Sequence, residues 1–181
     1  MSNSTPHAAS KIKLVIFDVD GVFTSNQLFL SNDGNETKAF HTHDGIGIKL
    51  LHQSGIETAI ITARQSVLVE KRMQALGVQH IHQGIKQKFQ VYQTLREQLG
   101  LQDENIAMVG DDLPDLACIQ AAGLGIAVDN ADPFVKEHAD WVASRSGGQA
   151  AVREICEMIL NAQDKLQSAQ HCFLLEAQSR E

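Results

Sequence analysis

The sequence predicts an α/β fold in which a mainly parallel sheet carries helices on both faces, with a β-hairpin inserted after the first strand. Three observations carry that expectation. Leu14 to Phe17 is continuously apolar and rich in branched residues, the pattern of a strand buried on both faces at the centre of a parallel sheet. Residues 105–110 repeat that pattern, and between and beyond the two runs strand-like and helical stretches alternate. After Gly21 the chain enters no helix but continues over 22–40 as two strand-like pieces around Asn32-Asp33-Gly34-Asn35, a strong turn signal.

Composition sets the limits. A chain of 181 residues, 43% hydrophobic and 20% charged, is long enough to bury a full core as one globular domain. That domain is expected at 11–166, with the hairpin insertion at 22–40, a flexible polar tail over 1–10 and a C-terminal tail over 167–181. Cys118, Cys156 and Cys172 lie far apart without CxxC spacing, and no signal peptide is evident, so a reduced, cytoplasmic protein is expected. No apolar run approaches the roughly 20 residues of a membrane helix. A net charge of −7, with no basic stripe interleaved with aromatics, argues against nucleic acid as a partner.

The first strand ends in Asp18-Val-Asp-Gly21. In open α/β sheets ligands bind beyond the carboxyl ends of the strands, and side chains at i and i+2 of an extended chain share a side. Asp18 and Asp20 can therefore address one reacting centre. Two carboxylates this close repel unless a cation lies between them or one holds a proton. A hard cation such as Mg²⁺ would leave one ionised as a nucleophile, and a raised pKa would fit the other for general acid and base work. For the tetrapeptide alone, an Asx turn is the plainer alternative.

In the hairpin, the apolar Val22, Phe23, Leu28, Phe29 and Leu30 require a packing partner, another subunit being one choice. Asp44 is the expected cap of a helix over 45–55, while His41 and His43, though spaced like metal ligands, read as ordinary polar residues. Residues 56–62 form the next core strand, which brings Thr62 to the sheet edge of Asp18, and Arg64 lies in the lead into a helix over Val67–Leu76 that Gly77 stops. A short strand over 78–82 precedes a helix opening over 84–88, with Phe89, Tyr92, Leu95 and Leu99 at helical spacing. A lysine at a helix start opposes the macrodipole and suggests an anion nearby, with Lys86 and Lys88 both eligible. The strand at 105–110 delivers Asp111 and Asp112, so that Asp111 can complete a cation site with Asp18. Asp115 either caps the helix that starts there or orients Asp111. A strand over 123–128, a helix containing Pro133, a short strand over 140–143 and a helix from about Gln149 to Leu160, with a continuation to Leu166, complete the domain.

The ordered set Asp18-Val-Asp-Gly21, Thr62, Lys88 and Gly110-Asp-Asp112 resembles the four motifs of the haloacid dehalogenase superfamily of phosphatases. The hairpin after the first motif, the lack of a cap domain and Gly147-Gly-Gln-Ala-Ala-Val-Arg-Glu154 resemble its capless branch, the 3-deoxy-D-manno-octulosonate 8-phosphate phosphatases, as far as about Lys165. The resemblance implies a Rossmann-like sheet without a cap, Mg²⁺ as cofactor and a sugar-acid phosphate as substrate. It also implies a cytoplasmic homo-oligomer, a tetramer, serving lipopolysaccharide biosynthesis. By motif, Asp18 would attack phosphorus to give an aspartyl phosphate, and Asp20 would protonate the leaving alcohol and then activate water. Thr62 and Lys88 would hold phosphate oxygens, and Asp18, Asp111 and the backbone carbonyl of Asp20 would bind the metal, supported by Asp112 and Asp115. Arg64, Asp44 and the Gly147-Gly148 segment are candidates for contacting the sugar. The chain departs from the branch at His43-Asp-Gly-Ile-Gly47, where relatives commonly carry Arg-Asp-Gly-Tyr-Gly, at Thr62-Ala-Arg64, where they carry Thr-Gly-Arg, and at Ala150, where glycine is usual. These departures bear on the substrate more than on the chemistry. Three other readings remain open at this point: a phosphatase of a nine-carbon sialic-type acid phosphate, an inert oligomerisation module of the same fold, and a phosphate-accepting receiver domain. The last two have little need of both Asp18 and Asp20.

Overall fold

The computed structural model describes residues 4–178, with side chains from Thr5 to Leu174. Its centre is β1 (Leu14–Phe17), every residue of which is buried. Each such apolar side chain contributes about 1.5–3 kcal/mol through removal from water. β1 pairs in parallel with β4 (Glu57–Ile61) on one side and β6 (Ile106–Gly110) on the other, and β5 (His80–His82), β7 (Leu124–Ala127) and β8 (Trp141–Val142) extend the sheet in the order β5-β4-β1-β6-β7-β8. All of these pairings are parallel.

The order of winding places the site. From β1 the chain steps outward to β4 and β5, then returns to the other side of β1 for β6 and steps outward again to β7 and β8. Right-handed crossovers therefore put α2 (Thr42–Gln53) and α3 (Val67–Leu76) on one face, and α4 (Lys88–Gln98), α5 (Leu116–Ala121) and α6 (Pro133–His138) on the other. The winding reverses between β1 and β6, and a crevice opens there at the strand ends. α7 (Ala151–Ala162) packs on α2, joined by α1 (Ser4–Ala9) and α8 (Leu166–Gln178).

Several elements differ from expectation. Part of the stretch expected as a flexible tail forms α1, with Thr5 and Ala9 buried. The stretch from 167 onward lies largely in α8, and Ala169 is buried there. The extreme ends of both expected tails, 1–3 and 179–181, lie outside the described residues. α2 begins earlier than the sequence suggests: His41 is its N-cap, and Asp44 falls in its first turn. Asp44 caps a different helix, its Oδ1 accepting from the Arg153 N–H in the first turn of α7 at 2.9 Å. α4 opens only at Lys88, because Gly84 takes φ +72° and the Ile85 N–H bonds back to the Thr62 carbonyl. The hairpin strands β2 (Phe29–Leu30) and β3 (Glu36–Thr37) are shorter than expected. Val22 and Phe23 find their partner in the core, the Phe23 ring meeting Phe17 edge-on at 5.3 Å, whereas Leu28, Phe29 and Leu30 are 50%, 53% and 69% exposed.

Candidate active site

Three strand ends converge on the crevice. Phe17 lies opposite Ile60 and Val109, so Asp18, Thr62 and Asp111 leave the sheet within a residue of one another. The Asp18 N–H extends the ladder to the Val109 carbonyl at 3.0 Å, and the Thr62 N–H does the same to His82 at 2.9 Å. Lys88, the first residue of α4, is 4% exposed and projects its ammonium between Asp115 Oδ1 at 2.6 Å and Asp18 Oδ2 at 3.0 Å. The other Asp115 oxygen accepts from the Asp111 N–H at 3.2 Å. Gly110 makes room for this, since a Cβ there would lie 2.4 Å from that of Asp115. Asp115 thus ties the end of β6 to Lys88, and Lys88 ties both to β1. Gly21, at φ +97°, is required for a similar reason: its Cβ would meet Asp111 Oδ2 at 1.9 Å. The cavity among these groups is about 150 Å³ and includes Asp20, Arg64 and Asp112 in its wall.

The Asp20 carboxylate turns toward the mouth. It pairs with Lys38, whose ammonium also lies 3.2 Å from Glu36, and Arg64 bridges back from Glu36 at 3.0 Å to Asp20 at 3.7 Å. Two acids and two bases form a closed ring at the cleft entrance, and the hairpin supplies half of it. The hairpin therefore reaches its own cleft through Glu36 and Lys38.

Inside, negative charge is in excess. Asp18, Asp111 and Asp115 each offer an oxygen within 4.8 Å of the others. Burial, then the Asp115 charge, pushes Asp18 up to about 6. Burial, then Asp115, Asp18 and Asp112, pushes Asp111 up to about 8. Burial alone would lower Lys88, but Asp115 and Asp18 outweigh it and raise its pKa. Asp18 Oδ1 is buried without a hydrogen-bond partner among the described residues. One ammonium cannot neutralise three carboxylates in low dielectric, and an all-oxygen donor set of this kind fits a hard divalent cation such as Mg²⁺.

A family model described as haloacid dehalogenase-like hydrolase matches residues 80–155. A 3-deoxy-D-manno-octulosonate 8-phosphate phosphatase of Salmonella typhimurium is 44% identical over 168 residues, spanning 91% of this chain and 89% of its own. The chain belongs to this phosphatase family. Among solved structures, a haloacid dehalogenase superfamily hydrolase of Legionella pneumophila is 50% identical with a TM-score of 0.92, covering 95% of this chain and 94% of its own. The 3-deoxy-D-manno-octulosonate 8-phosphate phosphatase of Moraxella catarrhalis, in complex with magnesium ion, phosphate ion and the sugar acid, superposes with a TM-score of 0.93 at 40% identity, covering 96% of this chain and 99% of its own.

In this member of the phosphatase family, Asp18, Asp20, Thr62, Arg64, Lys88, Asp111, Asp112 and Asp115 all line one cavity. Between the two eligible lysines, Lys88 is buried in the site and Lys86 is exposed outside it. Asp115 does both things open to it, its Oδ2 accepting from the Asp111 N–H at 3.2 Å and, as part of a capping box, from the Asp112 N–H at 3.4 Å, while Asp112 caps the turn at Leu113 at 2.8 Å. Asp44 stands apart. It is not among the residues that line this cavity but is buried between α2 and α7, where burial pushes it up to about 6. The Gly147-Gly148 segment does not face the cavity either: a Cβ on Gly147 would lie 1.7 Å from the Gly21 carbonyl oxygen, and the Gly148 N–H donates to Val22 at 3.2 Å. It braces the loop that carries Asp20. Residue patterns missed Glu36, Lys38 and Asn26. The first two lie two apart where β3 ends, a spacing that puts them on one side of an extended chain and that the sequence does hold. Asn26 shows nothing until its positive φ of 62° is seen.

Proposed function

We propose that this protein hydrolyses 3-deoxy-D-manno-octulosonate 8-phosphate to the free sugar acid and phosphate, for lipopolysaccharide biosynthesis. The observation that carries the reading is Asp18 itself: one oxygen is held by Lys88, the other is buried and unpaired, and the residue sits at the switch point of the sheet. That is a carboxylate aimed rather than satisfied.

Asp18 attacks phosphorus, and the bond to the sugar oxygen breaks as Asp20 delivers a proton to it. Asp20 then takes a proton from water, which attacks the aspartyl phosphate and releases Asp18 and inorganic phosphate. Lys88 and the Thr62 hydroxyl stabilise the charge spread over the phosphoryl oxygens. Asp18, Asp111 and the backbone carbonyl of Asp20 would hold Mg²⁺, which would neutralise phosphoryl charge and keep Asp18 ionised. Arg64, at the mouth, contacts the sugar acid.

The exposed Leu28, Phe29 and Leu30 support a homotetramer in which hairpins cover one another's apolar tips. Free Cys118, Cys156 and Cys172 suit a reducing cytoplasm. Among the described residues no helix is long and apolar enough to cross a membrane.

The test is phosphate release with Mg²⁺ from a panel of sugar phosphates. The eight-carbon acid phosphate is expected to show the highest kcat/KM. A preference for a nine-carbon acid phosphate overturns the substrate, and no release from any member overturns the activity.

A further inference from the structure

The loop between Gly21 and the hairpin carries a side chain to which no part of the reaction above gives work. Asn26 lies in the left-handed region at φ 62°, which asparagine adopts more readily than most residues other than glycine, and its Nδ2 donates to Asp111 Oδ2 at 3.0 Å. It lines the same cavity as Asp18 and Lys88. Asp111 Oδ2 is confined on its other side by Gly21, whose missing Cβ leaves the slot in which that oxygen sits. No hydrogen bond reaches Asp111 Oδ1 among the described residues. The loop itself is fastened: the Val22, Phe23 and Thr24 N–H groups all converge on the Val19 carbonyl, and Gly148 packs onto Ser25, where a Cβ would come within 2.7 Å of its nitrogen. A neutral amide is thus held against one oxygen of a carboxylate whose other oxygen is left free.

We infer that Asn26 is a positioning residue for the cation: it fixes which oxygen of Asp111 is presented to Mg²⁺, and ties the loop that follows Gly21 to the residue after β6. The inference rests on the proposed Mg²⁺-dependent reading. An amide suits this task because it donates to a carboxylate without competing with the cation for it, as a second ammonium would.

Asn26→Gly is the informative variant, since glycine keeps the left-handed backbone and deletes only the amide. Mg²⁺ binding is measured by calorimetry on chelator-stripped wild type and variant, with thermal melting as the fold control. The Mg²⁺ dissociation constant is expected to rise about tenfold, as for a lost hydrogen bond to a charged group. The Mg²⁺ concentration for half-maximal phosphate release should rise with it, while the plateau rate changes by less than about threefold. Asn26→Ala, which adds backbone strain, should show the same rise with a lower melting temperature. Equal Mg²⁺ affinity in wild type and Asn26→Gly overturns the inference alone. A wild type that binds no Mg²⁺ overturns the proposed reading with it.

Discussion

Withdrawing the cation should make the stability of this protein fall as pH rises, opposite to the usual behaviour of carboxylates. Asp111 is raised from 3.8 to about 8 by burial and by its acidic neighbours, so the native chain keeps a proton that the unfolded chain has lost. Its contribution is therefore fully present below the unfolded pKa and is lost as pH climbs through the native one. Each unit of pH crossed in that window costs about 1.4 kcal/mol, which puts the loss between about pH 5 and pH 8 at roughly 4 kcal/mol. Asp18, raised to about 6, adds to the fall over the lower part of the range. A loss of that size is a large fraction of the ~5–15 kcal/mol that holds a domain together. With saturating Mg²⁺ both carboxylates are ionised against a cation and the curve should flatten. The assay is urea denaturation in chelator and in Mg²⁺, followed by the fluorescence of the single tryptophan, Trp141, across this pH range. Asp111→Asn, neutral at every pH, isolates the Asp111 share as the difference from wild type. Metal-free stability that is level or rising from pH 5 to 8, with no difference between wild type and Asp111→Asn, would refute the reasoning.

Four further outcomes are expected. Asp18→Asn should fold and release no phosphate, because an amide cannot attack phosphorus; turnover by the folded variant would exclude the covalent route. Asp20→Asn should lower kcat by roughly 10²–10⁴-fold, the range for a lost general acid, and an unaffected rate would remove that role. Gly147→Ala puts a Cβ 1.7 Å from the Gly21 carbonyl oxygen, so the loop bearing Asp20 must shift; activity should fall at least tenfold although the residue touches no substrate, and wild-type kinetics would show that the brace is dispensable. If the proposed tetramer forms through the hairpin tips, replacing Leu28, Phe29 and Leu30 together by serine should reduce the mass measured by light scattering, and an unchanged mass would overturn that assembly.

How much of this is legible in the sequence depends on how far each residue's neighbours lie along the chain. β1 and β6 are read directly, since a strand buried on both faces must be continuously apolar, and the carboxylates at their ends stand out against that background. The pairing of Asp18 with Asp111 follows once both are at strand ends, because parallel winding brings such ends to one edge. What is illegible is any partnership made by folding alone. Asp44 looks like a cap for the helix just after it, yet it bonds 109 residues away, to Arg153, because α2 and α7 pack with their starts together. Gly147 and Gly148 look like a ligand loop, whereas their glycines exist to let one backbone approach another. The α1 helix is missed because a segment this short has little periodicity, and its burial comes from α7 rather than from its own pattern.

The size of the cleft sets where selectivity can reside. A cavity of about 150 Å³ accommodates a phosphoryl group, whereas sites that enclose a whole small ligand run to ~300–1,000 Å³. In the proposed reaction the eight-carbon acid must therefore extend past the inner residues to the mouth. There it meets the ring of Asp20, Lys38, Glu36 and Arg64, which is neutral only as long as each base faces an acid. On that reading an incoming sugar carboxylate would replace Glu36 as a partner of Arg64 or Lys38, whereas the phosphate of a sugar without an acid group would bring no carboxylate to the mouth to restore the broken pairs. In the proposed reading the hairpin would have two functions on two surfaces. Its charged base at Glu36 and Lys38 would select for an acid beside Asp20, and its exposed apolar tip at Leu28, Phe29 and Leu30 would meet another copy of the chain. A domain with a cap could assign those tasks to separate parts, whereas one short ribbon that carried both would have to leave the sheet directly beyond Asp20.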